Sequence, residues 1–174
     1  MEHIKSLIRT IQDFPQPGIQ FRDLTTLFQH PKGFRDSVMA LAEQWRHADI
    51  EMVVGVESRG FILAAPLALE LGTGFVPIRK PGKLPGETFG VEYTLEYGEN
   101  RLEIHKDALG IGTRVLMVDD LLATGGTMEA ACRLVERLGC QVLGCAFLVE
   151  LVDLKGRARL SKYKLTNLVE FEGE

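Results

Sequence analysis

Residues 115–127 read VLMVDDLLATGGT, and this stretch combines three features that decide the fold. An apolar run has the length and composition of the end of a buried parallel strand. Two adjacent aspartates, Asp119 and Asp120, follow it directly. After two leucines, residues 123–127 are all small. We therefore predict a buried strand over 114–118 that stops at the aspartates, then a loop, then a helix over 126–139.

Apolar runs of strand length alternate with helical segments along the rest of the chain. Strands are predicted over 52–56, 74–80, 140–151 and 165–171, and helices over 2–11, 33–47, 58–72 and 154–163. Such alternation is typical of an α/β fold with a mostly parallel central sheet flanked by helices. Ligands of these sheets bind beyond the carboxyl ends of the strands, where the two aspartates would lie.

Residues 81–101 interrupt the alternation with two prolines, four glycines and mixed charges. This composition favours a long loop over a buried helix or strand. We predict that the loop merges into a two-stranded ribbon, with its turn near residues 99–101 and a return strand over 102–107.

The bulk composition limits the class of protein. A length of 174 residues favours one domain over 1–174, and a formal net charge of −4 argues against a broad nucleic-acid-binding surface. We expect no membrane segment, because no apolar run approaches the ~20 residues that a spanning helix needs. Three scattered cysteines and the lack of a signal-peptide pattern favour the cytoplasm.

The small residues after the acidic pair predict a phosphate site. They are Ala123, Thr124, Gly125, Gly126 and Thr127. They would leave the first amides of the following helix open to a ligand, and such amides bind anions. The two carboxylates suit hydroxyl groups or a hydrated cation instead. A sugar phosphate meets both demands.

Other phosphate-binding patterns do not match this stretch. A Walker loop needs a lysine where Met128 stands, and no GxGxxG follows a strand. A receiver domain would need over a hundred residues after VLMVDD, and about fifty remain. The alternative without a ligand is a solvated turn at the aspartates and a helix-entry loop at the glycines.

The stretch resembles the phosphoribosyl pyrophosphate signature of the type I phosphoribosyltransferase family. Four further segments resemble the adenine-specific members, in order: FPQPGIQFRDLTTL (14–27), SRGF (58–61), IRKPGKLPGET (78–88) and LEYGENRLEIHKDAL (95–109). The resemblance covers nearly the whole chain. It implies a mostly parallel sheet flanked by helices, a small hood over about residues 1–30, and a flexible lid and ribbon over about 81–106.

The resemblance also implies a reaction in purine salvage. Adenine would attack the anomeric carbon of phosphoribosyl pyrophosphate, giving AMP and pyrophosphate with Mg²⁺ present, in a homodimer. Asp119 and Asp120 would hold the ribose and act near the Mg²⁺ through water. The departing pyrophosphate carries several negative charges and needs cations around it. Its expected binding residues are Glu57, Ser58, Arg59, Arg79, Lys80 and Lys83, with a cis peptide between the first two.

Adenine recognition is implied at a different segment. Phe21 would stack on the base, the backbone of Gln20 would read its edge, Arg22 would support the site, and Leu121 would form an apolar floor. Glu96 would accept the proton that adenine loses. Tyr97 would belong to the lid, which would exclude water.

Several of these residues have a simpler alternative. Phe21 is also compatible with a core aromatic, Arg59 with a helix-surface charge, Glu96 with a charge on an exposed ribbon, and Lys80 and Lys83 with a solvated loop. Two other functions also stay open. The protein could act on another purine base, or it could be a regulator that senses nucleotides with the same fold.

Overall fold

A computed structural model describes residues 1–95 and 98–173. The strands are β1 (Arg9–Gln12), β2 (Gln20–Asp23), β3 (Met52–Val56), β4 (Gly74–Ile78), β5 (Thr88–Leu95), β6 (Gly98–His105), β7 (Arg114–Leu122), β8 (Gln141–Leu151) and β9 (Lys164–Phe171). The helices are α1 (Glu2–Lys5), α2 (Thr25–Phe28), α3 (Pro31–Trp45), α4 (Arg59–Leu71), α5 (Gly126–Arg137) and α6 (Gly156–Arg159), and a 3-10 turn covers Val152–Leu154.

Five strands form a parallel sheet in the order β4-β3-β7-β8-β9. This confirms the predicted α/β architecture. Two antiparallel ribbons lie outside it, β1 with β2 and β5 with β6. Within the described residues, no helix is both long enough and apolar enough to span a membrane.

Each face of the sheet is covered by a separate apolar core. Helices α3 and α4 cover one face, where Leu41, Trp45 and Leu63 are fully buried. Helix α5 and the β5–β6 ribbon cover the other, where Leu134 and Ile104 are fully buried. Strands buried on both faces explain the continuous apolar runs in the sequence.

The predicted helix over 2–11 is wrong after its first turn. Helix α1 ends at Lys5, and the chain continues as strand β1, which pairs with β2. The helical spacing of the isoleucines is real, since Ile4 and Ile8 are both buried. A short helix is only marginally stable by itself, so pairing with a distant strand overrides the local pattern.

Two other predicted boundaries are also wrong. The return strand β6 begins at Gly98 and not at the predicted residue 102, so residues 99–101 belong to it. The predicted helix over 154–163 is reduced to a 3-10 turn and α6, because Lys155 takes a left-handed conformation, with φ of 53°, between them. Pro66 lies inside α4, which runs unbroken from Arg59 to Leu71.

Candidate active site

The site lies at the point in the sheet where the order of successive strands reverses. From β3 the chain passes through α4 to β4 on one side, whereas from β7 it passes through α5 to β8 on the other. β3 and β7 are neighbours in the sheet, so the loops at their carboxyl ends diverge and leave a crevice between them. Open α/β sheets bind ligands at this position.

A cavity of about 360 Å³ fills this crevice. Of the described residues, it is lined by Val56, Glu57, Ser58, Arg59, Lys80, Tyr93, Asn100, Leu102, Asp119, Asp120, Leu121 and Thr127. Residues from β3, β7, the ribbon and the start of α5 therefore share one wall. The cavity brings together both predicted aspartates and members of each predicted ligand group except the hood.

The acidic pair lies within β7 and not after it, so the prediction that the strand stops at Val118 is wrong. β7 pairs with β3 only as far as Val118, but with β8 as far as Leu122. The edge of β7 that faces the crevice is therefore open from Asp119 onward. Pairing with β8 alone keeps β7 a regular strand here, while Asp119 and Asp120 line the cavity.

Burial strongly affects both carboxyl groups. It raises the pKa of Asp119 well above its ordinary value, and the charge of Asp120 raises it further. Burial also raises the pKa of Asp120, although the Arg59 guanidinium opposes this rise. Asp119 lies deep in the protein yet remains partly open to the cavity, whereas Asp120 is buried. The Asp120 amide donates to Asp119 Oδ1 at 2.8 Å.

Arg59 crosses the crevice from the start of α4. Its Nε lies 2.7 Å from Asp120 Oδ2 as an ion pair. The guanidinium is not aligned for a hydrogen bond, and this oxygen accepts none from residues 1–95 and 98–173. The same guanidinium lies 5.6 Å from the centre of the Phe21 ring. Arg59 therefore joins the acidic pair to the β1–β2 ribbon, which excludes its alternative as a simple helix-surface charge.

Two helix N-termini open at the crevice. Their loops are Glu57–Ser58, before α4, and Ala123–Gly125, before α5, and the Glu57–Ser58 peptide is cis as the resemblance implied. Gly125 has φ of 81°, a left-handed conformation that glycine adopts without strain. The amides of Ser58, Arg59, Gly60, Thr124, Gly125, Gly126 and Thr127 donate no hydrogen bond within the described part of the chain. Each loop thus offers unpaired donors to an anion.

The other three predicted cations, Arg79, Lys80 and Lys83, differ in whether they line the cavity. Lys80 lines the cavity and is exposed. The Arg79 Nε donates to Glu57 Oε2 at 2.8 Å, so its charge is partly neutralised. Lys83 is exposed, and its carbonyl accepts from Arg79 Nη1 at 3.4 Å. Of these three cations, only Lys80 contributes to the described wall of the cavity.

Of the predicted base-binding residues in the β1–β2 ribbon, Phe21 approaches the cavity, since its ring centre lies 5.6 Å from the guanidinium of Arg59. Phe21 packs edge-on against Phe14, with ring centres 5.1 Å apart. Arg22 is buried, and its Nη1 donates to Thr10 Oγ1 at 2.7 Å, which suits a supporting position. Gln20 pairs with Gln12 in the ribbon. Leu121 lines the cavity itself.

Comparison with known proteins agrees with this geometry. The phosphoribosyl transferase domain model matches residues 23–172. The adenine phosphoribosyltransferase of Clostridium perfringens is 55% identical over 169 residues, which cover 97% of this chain and 98% of that protein. This chain belongs to the adenine phosphoribosyltransferase family.

Solved structures of this adenine phosphoribosyltransferase family share the fold. The crystal structure from Thermoanaerobacter pseudethanolicus has a TM-score of 0.95 at 50% identity, and covers 98% of this chain and 99% of its own. The Saccharomyces cerevisiae enzyme, complexed with adenine and D-2,5-dideoxy-2,5-imino-altritol 1,6-bisphosphate, has a TM-score of 0.87 at 41% identity, with 97% and 96% covered. The resemblance drawn from the sequence motifs is confirmed.

The ribbon contributes residues to this site that the sequence reasoning missed. Tyr93 and Asn100 are register partners, and both line the cavity. Strand alternation could have found Tyr93, because it shares a face with the buried Val91 two residues earlier. The predicted Glu96 and Tyr97 lie outside the described residues.

Proposed function

We propose that this protein transfers the 5-phosphoribosyl group from phosphoribosyl pyrophosphate to adenine, producing AMP and pyrophosphate in purine salvage. One observation carries the proposal beside the family membership. Two helix N-termini with unpaired amides flank the carboxylates of Asp119 and Asp120 at one crevice, where Asp120 is buried and Asp119 is partly open. A sugar with a phosphate at one end and a pyrophosphate at the other suits this arrangement.

Each end of the sugar donor has its own loop. The 5-phosphate binds the amides and hydroxyls of residues 123–127, at the start of α5. The pyrophosphate binds the loop of Glu57, Ser58 and Arg59, at the start of α4. Asp119 and Asp120 hold the ribose hydroxyls between them, and the Asp120 Oδ2 that accepts no hydrogen bond from the described residues supports this role.

Charge rearrangement drives the transfer. The bond from the anomeric carbon to pyrophosphate breaks as the base nitrogen bonds to that carbon. Arg59 and Lys80 stabilise the departing pyrophosphate, and Arg79 and Lys83 lie on the adjoining segment. The carboxylates of the acidic pair provide a negative field beside the carbon that becomes positive.

The acidic pair also suits a hydrated Mg²⁺. Magnesium prefers oxygen ligands and keeps several of its waters, so two carboxylates and the donor's own oxygens form a fitting set. Asp119 and Asp120 would hold the ion through water. When bound, the ion neutralises charge on the leaving group.

The base binds on the hood side of the cavity. Phe21 covers the ring, the backbone of Gln20 reads its edge, Arg22 supports the ribbon, and Leu121 forms the floor. The 5.6 Å contact between Arg59 and the Phe21 ring supports this position next to the sugar site. Glu96 accepts the base proton, and Tyr97 closes the lid of residues 81–106 against water.

The proposal extends to assembly and location. A homodimer is supported by family membership and by exposed apolar side chains on α4, Ile62 at 43% and Leu69 at 82%. Sedimentation should give about twice the chain mass of 19.4 kDa. A monomer at micromolar concentration would contradict the dimer. The three free cysteines support a reducing compartment such as the cytoplasm.

Incubation with phosphoribosyl pyrophosphate, Mg²⁺ and one base at a time tests the function. We expect AMP with adenine, little product with hypoxanthine or guanine, and no product when a chelator removes the metal. Equal rates with hypoxanthine would reassign the base. A protein that consumes no sugar donor with any base would refute the transferase function.

A further inference from the structure

Residues 123–125, which bind the 5-phosphate in the proposed function and are called the phosphate loop below, lie directly against the backbone of α6. A Cβ built on Gly156 would lie 2.1 Å from the Ala123 carbonyl oxygen and 2.9 Å from Leu122 Cδ1. A Cβ built on Gly125 would lie 2.8 Å from the Gly156 carbonyl oxygen. Gly156 does not adopt a left-handed conformation, so alanine would suit its backbone angles. The close approach to the phosphate loop is therefore what requires glycine there.

Arg157, the residue after Gly156, ties α6 to two strands of the sheet. Its Nε donates to both carboxylate oxygens of Glu150, at 3.1 and 3.2 Å. Its Nη2 donates to Asn167 Oδ1 at 2.7 Å. The guanidinium thus bridges β8 and β9 in a two-oxygen geometry that arginine supports and lysine does not.

Glu150, the carboxylate that pairs with Arg157, lies in the sheet beside the end of β7, from which the phosphate loop begins. Glu150 is the register partner of Leu122, the last residue of β7 before the loop. Its side chain is only 6% exposed, whereas that of Arg157 is 46% exposed. Loss of the guanidinium would leave the buried Glu150 carboxylate unpaired, so this contact should matter for stability as well as for the position of α6.

We propose that Glu150, Arg157 and Gly156 are positioning residues for the phosphate loop. They touch no substrate in the proposed function, on which this inference rests. Arg157 holds Gly156 against the Ala123 carbonyl, and this contact sets the direction of the loop amides. The three residues therefore determine affinity for the 5-phosphate end of the sugar donor.

The first test separates the two ends of the donor. In Arg157→Met, the dissociation constant of ribose 5-phosphate should rise roughly tenfold, because small displacements of binding groups are costly. That of pyrophosphate should stay within about twofold, since it binds the other loop. KM for phosphoribosyl pyrophosphate should rise with little change in kcat or in KM for adenine. Arg157→Lys should recover only part of the loss.

A second arginine variant controls for the loss of an ion pair at the sheet. Arg114 pairs with Asp49 and Glu51, at 3.0 and 3.4 Å, at the opposite end of β7. Both of these carboxylates are more exposed than that of Glu150, so Arg114→Met should lower thermal stability less than Arg157→Met and leave ribose 5-phosphate binding unchanged. Gly156→Ala, if it folds, should weaken ribose 5-phosphate binding at least as much as Arg157→Met.

The outcomes are distinct. Unchanged ribose 5-phosphate binding in Arg157→Met would overturn the inference, as would an equal loss in Arg114→Met or a parallel loss of pyrophosphate binding. Any of these three results leaves the proposed function intact as long as the wild-type protein makes AMP. A wild-type protein that makes no AMP would refute the proposed function instead.

Discussion

At the scale of single residues, Arg59 connects the parts of the site. Its guanidinium lies against Asp120 and near the ring of Phe21. In the proposed function this cation belongs to the pyrophosphate. Pyrophosphate would therefore compete with the Asp120 carboxylate for the same charge. Exchange of this partner would release Asp120 for the ribose.

In the proposed function a single side chain, that of Glu96, accepts the proton that adenine loses. Glu96→Gln removes the basic carboxylate and keeps its size, so we expect kcat to fall by ~10²-fold or more with donor affinity nearly unchanged. Steady-state rates and donor titrations measure the two effects. Glu92→Gln, an exposed carboxylate on the same ribbon, is the control. Unchanged turnover in Glu96→Gln would remove this residue from the mechanism.

At the scale of elements, the site depends on how α4 packs against β7. A Cβ built on Gly60 would lie 2.6 Å from Asp119 Oδ1 and 3.2 Å from Asp119 Cα. The first turn of α4 therefore touches the acidic strand with its backbone. In the proposed function this contact brings the loop of Glu57 and Ser58, for the pyrophosphate, and the two aspartates, for the ribose, within reach of one ligand.

Enlarging Gly60 should disturb this contact. Gly60→Ala pushes α4 away from Asp119, and we expect kcat/KM for the donor to fall by roughly tenfold or more, because displacements near 1 Å are costly in catalysis. Gly33→Ala is the control. Gly33 lies in α3 and does not line the cavity, and its added Cβ would lie 2.3 Å from the Leu7 side chain. It should lower stability without changing donor kinetics. Equal kinetic losses in both variants would contradict a specific role for Gly60.

At the scale of the whole molecule, the buried acidic pair costs stability. The pKa of Asp119 is higher in the folded protein than in the unfolded chain, so the folded state keeps a proton that the unfolded chain releases. Stability therefore falls as pH rises from the unfolded pKa through the folded one. The full cost is present above both values and absent below both.

Asp119→Asn should remove this cost and the activity together. At pH 8 we expect the variant to melt a few degrees above wild type, since ~1 kcal/mol corresponds to about 2–4 °C for a chain of this size. The difference should shrink toward about pH 4, near the unfolded pKa. Asp107→Asn, at an exposed carboxyl, is the control. A difference in melting temperature that is the same at both pH values would contradict the assignment.

Local patterns predicted most of the sheet and, in the site, the acidic pair and the loop that follows it. Strands β3, β4, β8 and β9 were predicted within about three residues at each end, because continuous apolar runs and glycine stops are local signals. Strand β1 was missed, since its partner β2 lies at residues 20–23 and no local pattern encodes that pairing. Asn100 was missed for the same reason, because only its pairing with Tyr93 across the ribbon brings it to the cavity.

The sequence by itself determined where most strands of the parallel sheet lie, and it placed the acidic pair and the loop after it at the carboxyl edge of the sheet. Apolar periodicity, glycine and the acidic pair act over a few neighbouring residues, so one sequence suffices to read them. Only the tertiary structure decided that β7 continues past its aspartates, that Arg59 reaches Asp120, and that Gly156 supports the phosphate loop. Each of these depends on contact between segments far apart in the chain, and the packing of the folded sheet alone sets such distances.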